Sequence, residues 1–367
     1  MIGCAWGLAS GAGCGFDGAG SLIVTIEPDA SKTAASLPEA GALPDGSAAD
    51  APVDAPVEAG CGDTLTSPLN CGKCGHDCLG GTCAAGKCQP VTLVTGEHGL
   101  GAVVVDATTA YYVAEDSGII RKVPIAGGAV STVHSTGTAP HDLALDGDRI
   151  FWGDQFGEGV SVFGGTSISL SGGSGAGRAL ALTTQGPYVI TSGTVDLYDR
   201  SLGATLQSFV NNASSPAIVT DATYAYWSAG QQIRRVQHAM TSVTNVVTGI
   251  GANPTSMALS ASHVYWTTTT KVQRAAIAAS AGWTIETIVS TETSAASLAV
   301  DGTHAYWMDL TTGAVRRAPL AAGATAETLA TFSAQLTDAP YPHQIALTPG
   351  ALCIASTSDG TLSRLAK

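Results

Sequence analysis

Hydrophobic positions from residue 103 to the C-terminus fall in short β-prone runs, each cut off by a turn pair such as Asp-Gly, Thr-Gly or Ala-Gly. The clearest run is Val300-Asp301-Gly302-Thr303-His304-Ala305-Tyr306-Trp307, a strand, a tight turn and a second strand led by an aromatic pair. Versions of it return, aligned on that pair, at Tyr111-Tyr112, Phe151-Trp152, Tyr188-Val189, Tyr226-Trp227, Tyr265-Trp266, Tyr306-Trp307 and Leu352-Cys353, so the steps are 40, 37, 38, 39, 41 and 46 residues. Seven copies at a period of about forty residues predict a seven-bladed β-propeller.

Turn residues divide each repeat into four strands. In the sixth they are Ser297–Val300, Ala305–Met308, Ala314–Ala318 and Glu327–Thr331, with Asp301-Gly302 and Thr312-Gly313 expected as hairpin turns whose glycines take φ above zero. Basic third strands recur at Ile120–Pro124, Ile233–Val236 and Leu362–Leu365. The last repeat has only three strands, whereas Val91–Gly96 precedes the first repeat and looks like a fourth strand. An open edge in a ring invites pairing, so this N-terminal strand is expected to close it. The repeats resemble the Tyr-Trp-Thr-Asp propellers of lipoprotein receptors, most closely at Tyr265-Trp266-Thr267 and Tyr306-Trp307-Met308-Asp309. That resemblance implies the fold and no ligand, because the count here is seven rather than six and the third and seventh repeats lack the Trp.

Residues 90–367 thus make the propeller. Residues 61–89 hold six cysteines, Cys61, Cys71, Cys74, Cys78, Cys83 and Cys88, with almost no large hydrophobes to form a core. Cys71-x-x-Cys74 beside His76 and Cys78 leaves zinc as one reading, but an even cysteine count without a second Cys-x-x-Cys favours three disulfides, in any of about fifteen pairings. The Asn-Cys-Gly-x-Cys-Gly phrase at 70–75 resembles the cysteine-rich repeat of the stigma-specific protein family, which implies an oxidising, exported setting. Residues 1–60, poor in large hydrophobes and ending in Asp50-Ala51-Pro52-Val53-Asp54-Ala55-Pro56-Val57-Glu58, read as a disordered tether. Within it Ser21–Ile26 is β-prone. Met1-Ile2-Gly3-Cys4-Ala5 matches the end of a bacterial lipoprotein signal without the preceding charged and apolar regions, so Cys4 is either a lipidation site or a chance match.

Composition narrows the partners. The net charge of -13 disfavours nucleic acid, and no run of eighteen apolar residues occurs, so membrane association would come only through an anchor at Cys4. No nucleophile elbow, zinc-protease or phosphate-loop motif is present, and Gly172–Gly177 reads as a loop. No cofactor or metal is expected. Asp106, Asp146, Asp221 and Asp301 sit in first-to-second-strand turns, where turn formation outweighs calcium binding. Trp152, Trp227, Trp266 and Trp307 share one repeat position and are expected in the core; Trp283 is off pattern and a candidate surface contact. Cys353, without a repeat-mate, is expected as a buried free thiol.

Chemistry concentrates where first strands open onto the channel. The opening residues are Gly101, His141, Arg178, Pro216, Thr255, Ala296 and His343, each followed by Ala102, Asp142, Ala179, Ala217, Ser256, Ser297 and Gln344. The polar asymmetry selects His141, Asp142, Arg178, His343 and Gln344 as candidate ligand-binding residues. The leading expectation is an exported or lipid-anchored envelope protein whose propeller binds an unknown protein, glycan or small molecule without catalysis. A lyase or glycan hydrolase acting in the channel is the alternative, weakened by Asp142 being the lone acid there; a structural scaffold is the third.

Overall fold

The computed structural model describes residues 61–136, 139–154, 157–162, 167–171, 179–190, 193–201, 204–210, 217–277, 283–335 and 344–367, together with strands Cys14–Phe16 and Leu22–Val24. The chain divides into two compact units, Met1–Gly60 and Cys61–Lys367. In the first unit the two short strands pair antiparallel, so part of the β-prone run at 21–26 finds its partner upstream. Cys4 and most of the expected tether lie outside the described residues.

The second unit is an all-β propeller. Six of its sheets are built from four consecutive antiparallel strands each. Blade one, for example, runs Leu100–Val105, Thr109–Ala114, Ile119–Pro124 and Ser131–Ser135. Blades two to six follow, with first strands Pro140–Asp146, Ala179–Leu182, Ile218–Thr220, Ser256–Leu259 and Ala295–Val300. A further four-stranded sheet combines Ile345–Leu347, Ala351–Ser356 and Thr361–Ala366 with the N-terminal Val91–Val94. There Leu362 stands opposite Val94 and Arg364 opposite Val91. The first strand of every sheet lies against that of its neighbour, and the strand Ile345–Leu347 lies against Leu100–Val105, so the first strands form a closed circuit.

The repeat period has a packing cause. Second strands are the most buried element of each sheet, and Tyr112, Trp152, Trp227, Trp266 and Trp307 are all at most 2% exposed, filling the wedges between blades. Trp283 is buried too, packed on Tyr226 with the Arg235 guanidinium 5.3 Å from its ring centroid, so it is not the surface contact for which it was a candidate. Another correction concerns turn chemistry. Gly313 does adopt φ +69°, where an added Cβ would collide with the Phe332 and Ser333 carbonyls, but Gly302 does not take positive φ. At Asp301-Gly302 the turn is made by the aspartate, whose Oδ1 accepts from the Thr303 and His304 amides at 2.8 and 2.9 Å.

The six cysteines form three disulfides, Cys61–Cys74, Cys71–Cys83 and Cys78–Cys88. The sulfurs of Cys71, Cys78 and Cys88 lie within 4.8 Å of one another, but each already belongs to a disulfide, so the cluster is stacked cystines rather than a thiolate set. This cystine core packs into the same apolar cluster as Tyr306 and Met308 of blade six and Ile345 and Leu365 of the further sheet. Lys87 Nζ donates to the Thr328 carbonyl at 2.9 Å, and Arg364 donates to the Leu79 carbonyl. The module therefore borrows from the propeller the core that its own composition lacks.

Candidate functional site

The channel mouth is shaped by irregularities in the first strands. Pairing with the second strand slips between Pro140 and Asp142, between Leu100 and Val103, and between Ala296 and Ala299. Such bulges re-aim a side chain. His141 is the residue skipped in blade two; it remains partly exposed, and its Nδ1 lies 2.7 Å from Glu115 Oε1. Glu115 comes from the short 3-10 turn Glu115–Ser117 of blade one, which carries an acidic first turn. Arg178 and His343 lie outside the described residues, as do Pro216 and the loop Gly172–Gly177.

The position after each opening residue behaves differently from expectation. Ala102, Asp142, Ala179, Ala217, Ser256, Ser297 and Gln344 are all at most 2% exposed, so this position forms the wall between blades and not the lining of the mouth. Where it is polar, it joins neighbours. Asp142 Oδ1 accepts from its own neighbour Leu143 N at 2.9 Å, and Oδ2 accepts from Leu180 N of blade three at 2.8 Å. Ser256 Oγ accepts from Leu298 N of blade six, and Ser297 Oγ accepts from Gln344 N, at the start of the further sheet. Gln344 Nε2 donates to Thr357 Oγ1, which donates on to the Leu100 carbonyl of blade one at 2.6 Å. Asp142 and Gln344 are thus buried joints, because a carboxylate or amide this deep must be satisfied by groups close at hand, backbone amides for Asp142 and the Ser297 and Thr357 hydroxyls for Gln344. Ser297 holds this geometry at φ +53°, a left-handed conformation uncommon for a residue with a side chain.

Toward the other end the channel is apolar. Val104, Val105, Leu145, Leu182, Val219 and Leu259, from the first strands of blades one to five, bound a cavity of about 400 Å³. These side chains are only partly covered, unlike their counterparts in the blade wedges. The sequence carried the signal as aliphatic second halves of the first strands, but core wedge and channel wall are spelled with the same residues.

The turn aspartates form a repeated clasp. Asp106, Asp221 and Asp301 each take two turn amides on Oδ1 and a tyrosine hydroxyl on Oδ2, from Tyr111, Tyr226 and Tyr306 respectively, at 3.0 to 3.1 Å. Burial and the aspartate raise the Tyr111 hydroxyl to about 12, so the tyrosine stays a donor. Asp146, whose repeat has Phe151 in place of that tyrosine, pairs with Arg200 instead. All four carboxylates are engaged by protein groups, three of them in turn bonds and Asp146 by Arg200.

Neither a protein-family model nor a curated protein matches this chain. Similarity appears among solved structures and concerns fold. Virginiamycin B lyase from Staphylococcus aureus superposes with a TM-score of 0.61 at 12% identity, covering 76% of this chain and 98% of the lyase. The WD40 repeats of RRP9 give 0.62 at 11%, over 76% and 97%, and a chain of a mitotic checkpoint complex gives 0.62 at 12%, over 76% and 91%. The resemblance to Tyr-Trp-Thr-Asp propellers accordingly holds as far as the β-propeller fold.

Proposed function

We propose that this protein is a non-catalytic binding propeller working in an oxidising, extracytoplasmic setting, and that its ligand is a small molecule with an apolar body held in the central channel. The observation that carries the reading is the aliphatic cavity. Partly covered Val and Leu side chains converge there from five blades, and a concave apolar wall with few polar groups is the usual form of a small-molecule site. Catalysis is disfavoured by Asp142, the one acid at the channel in sequence, since both its oxygens are engaged by backbone amides and it is not poised to transfer a proton. Within this reading His141, together with Arg178 and His343, the candidates the sequence offers, meets the polar end of the ligand. The strand Val91–Val94, which completes the sheet of Ile345–Leu347, Ala351–Ser356 and Thr361–Ala366, supports counting that sheet as a seventh blade. The cysteine segment 61–89 is read as a separate covalent module docked on the ring, and its three disulfides support the oxidising setting.

The test is a fragment screen on the oxidised protein followed by titration of a hit into variants. Leu145→Asp with Leu182→Asp should weaken binding about tenfold or more, since each buries a charge against an apolar ligand. His141→Ala with Arg178→Ala and His343→Ala should weaken a hit bearing a polar end and spare one without it. Unaltered affinity in both sets of folded variants would move recognition to the outer loops, and turnover of the hit would make the protein an enzyme.

A further inference from the structure

A second cavity of about 300 Å³ lies where the disulfide module meets blades six and seven. Its wall contains four cationic side chains, Lys73, Lys87, Arg317 and Lys367, against one acid, Glu327. The chain has only 16 lysines and arginines in all and a net charge of -13, so four of the sixteen gather in one cleft of an otherwise acidic protein. Two of the four are compensated: Arg317 Nε is 2.5 Å from Glu327, and Lys367 Nζ is 3.0 Å from Asp301. The other two are not. Lys87 spends its ammonium on a neutral carbonyl, and the exposed Lys73 ammonium makes no hydrogen bond or ion pair among the described residues.

The cleft is also built to keep these charges in place. Lys73 lies between Cys71 and Cys74, and Lys87 directly precedes Cys88, so disulfides pin the backbone on both sides of Lys73 and immediately after Lys87. Gly72 and Gly86 leave the wall between them bare; a Cβ on Gly72 would stand 2.5 Å from the Gly86 carbonyl oxygen, and both glycines take positive φ. Neighbouring His304 has its proton affinity lowered by burial first and then by Arg317, with Asp301 and Glu327 acting against this and Lys73 adding a smaller lowering effect.

We propose that this cleft is a binding site for small oxyanions, a phosphate or carboxylate group received by Lys73 and Lys87 at the seam between module and propeller. It is distinct from the channel and stands without it. Charge-assisted bonds from paired ammoniums to an oxyanion supply the attraction, and the apolar flank at Leu329 and Leu365 would accept the remainder of the ligand.

Inorganic phosphate and glucuronate, with methyl glucoside as the neutral control, are titrated into the full, oxidised chain at low ionic strength and followed by calorimetry or ligand-observed NMR. Saturable binding of phosphate, glucuronate or both, absent for the neutral sugar and weakened by salt, is expected. Phosphate alone would assign a phosphorylated ligand, and glucuronate alone an acidic sugar. Lys73→Glu with Lys87→Glu should weaken binding by about tenfold or more, and Lys73→Arg should retain it within about twofold. Because Lys87 helps to dock the module, Lys73→Glu alone is the fold-neutral variant and should still weaken binding about threefold or more. Absence of saturable binding by both anions, equal binding of the neutral sugar, or equal affinity of the wild type and the double variant would overturn the proposal.

Discussion

Single buried polar groups hold this ring at its most crowded radius. Asp142 is the sharpest case, a fully buried carboxylate whose two oxygens serve amides of blades two and three. Asp142→Ala strands the Leu180 amide and should lower stability by about 2–3 kcal/mol, read as a fall in the midpoint of chemical unfolding with an unchanged slope. Asp309 gives the corresponding pH effect. Burial alone would raise its carboxyl, but bonds from the Thr293 hydroxyl and from the Thr293, Ser294 and Thr312 amides outweigh that and hold it at about 2. A folded-state value below the unfolded one means stability that is full above the unfolded value of about 4 and drains as pH falls toward 2. Acid titration of the unfolding midpoint should therefore show a decline across that window, shallower in Asp309→Asn. Cys353, fully buried, has its thiol pushed up by that burial to about 11. At pH 8 it should resist an aqueous thiol reagent in the native protein and react only after denaturation, and prompt native labelling would place it at the surface.

The element that matters most is the short strand Val91–Val94, which covers the edge of Thr361–Ala366. An uncovered edge there would present unpaired amides and carbonyls to solvent and to other chains. Removing residues 1–89 should leave a cooperatively folding ring, whereas removing residues 1–96 should cause aggregation or a broadened melt. Glu97 strengthens the contrast, since it follows this strand and binds the Tyr112 hydroxyl and the Arg121 guanidinium of blade one at 2.9 and 2.7 Å. Glu292, which follows the fourth strand of blade five, repeats the device on Trp307 and Arg316 of blade six. Equal stability of the two truncations would show that the strand is dispensable.

For the whole molecule the division of labour is between a ring with its own core and a cystine module without one. The three disulfides join residues 13, 12 and 10 positions apart, and closing loops of this length contributes on the order of 3 kcal/mol each to the module by chain-entropy reasoning. Reduction should therefore open residues 61–89 to limited proteolysis while the far-ultraviolet β signal of the ring survives, and simultaneous loss of both would mean that the ring depends on its module.

Much of this architecture was open to a reader of the sequence because repetition amplifies a weak signal. One aromatic pair followed by a turn says little, but its return from Tyr111 to Leu352, with a spare strand at 91–96, locates blades and closure together. Aspartate turns, cysteine pairing chemistry and the buried Cys353 were legible for the same reason, since each follows from local geometry or from a residue's own chemistry. Pairings between distant residues were not. Whether Asp142 faces the channel or the Leu180 amide depends on a bulge and on the seating of the next blade, 38 residues onward, and Gly302 lost its expected backbone role to the side chain of Asp301. The cleft at Lys73 and Lys87 arises only because the module, lacking a core, packs against strands more than two hundred residues away. Sequence determined which segments repeat and what each side chain can do; only the tertiary structure decided which of them meet, because burial and charge are properties of neighbours brought together by folding.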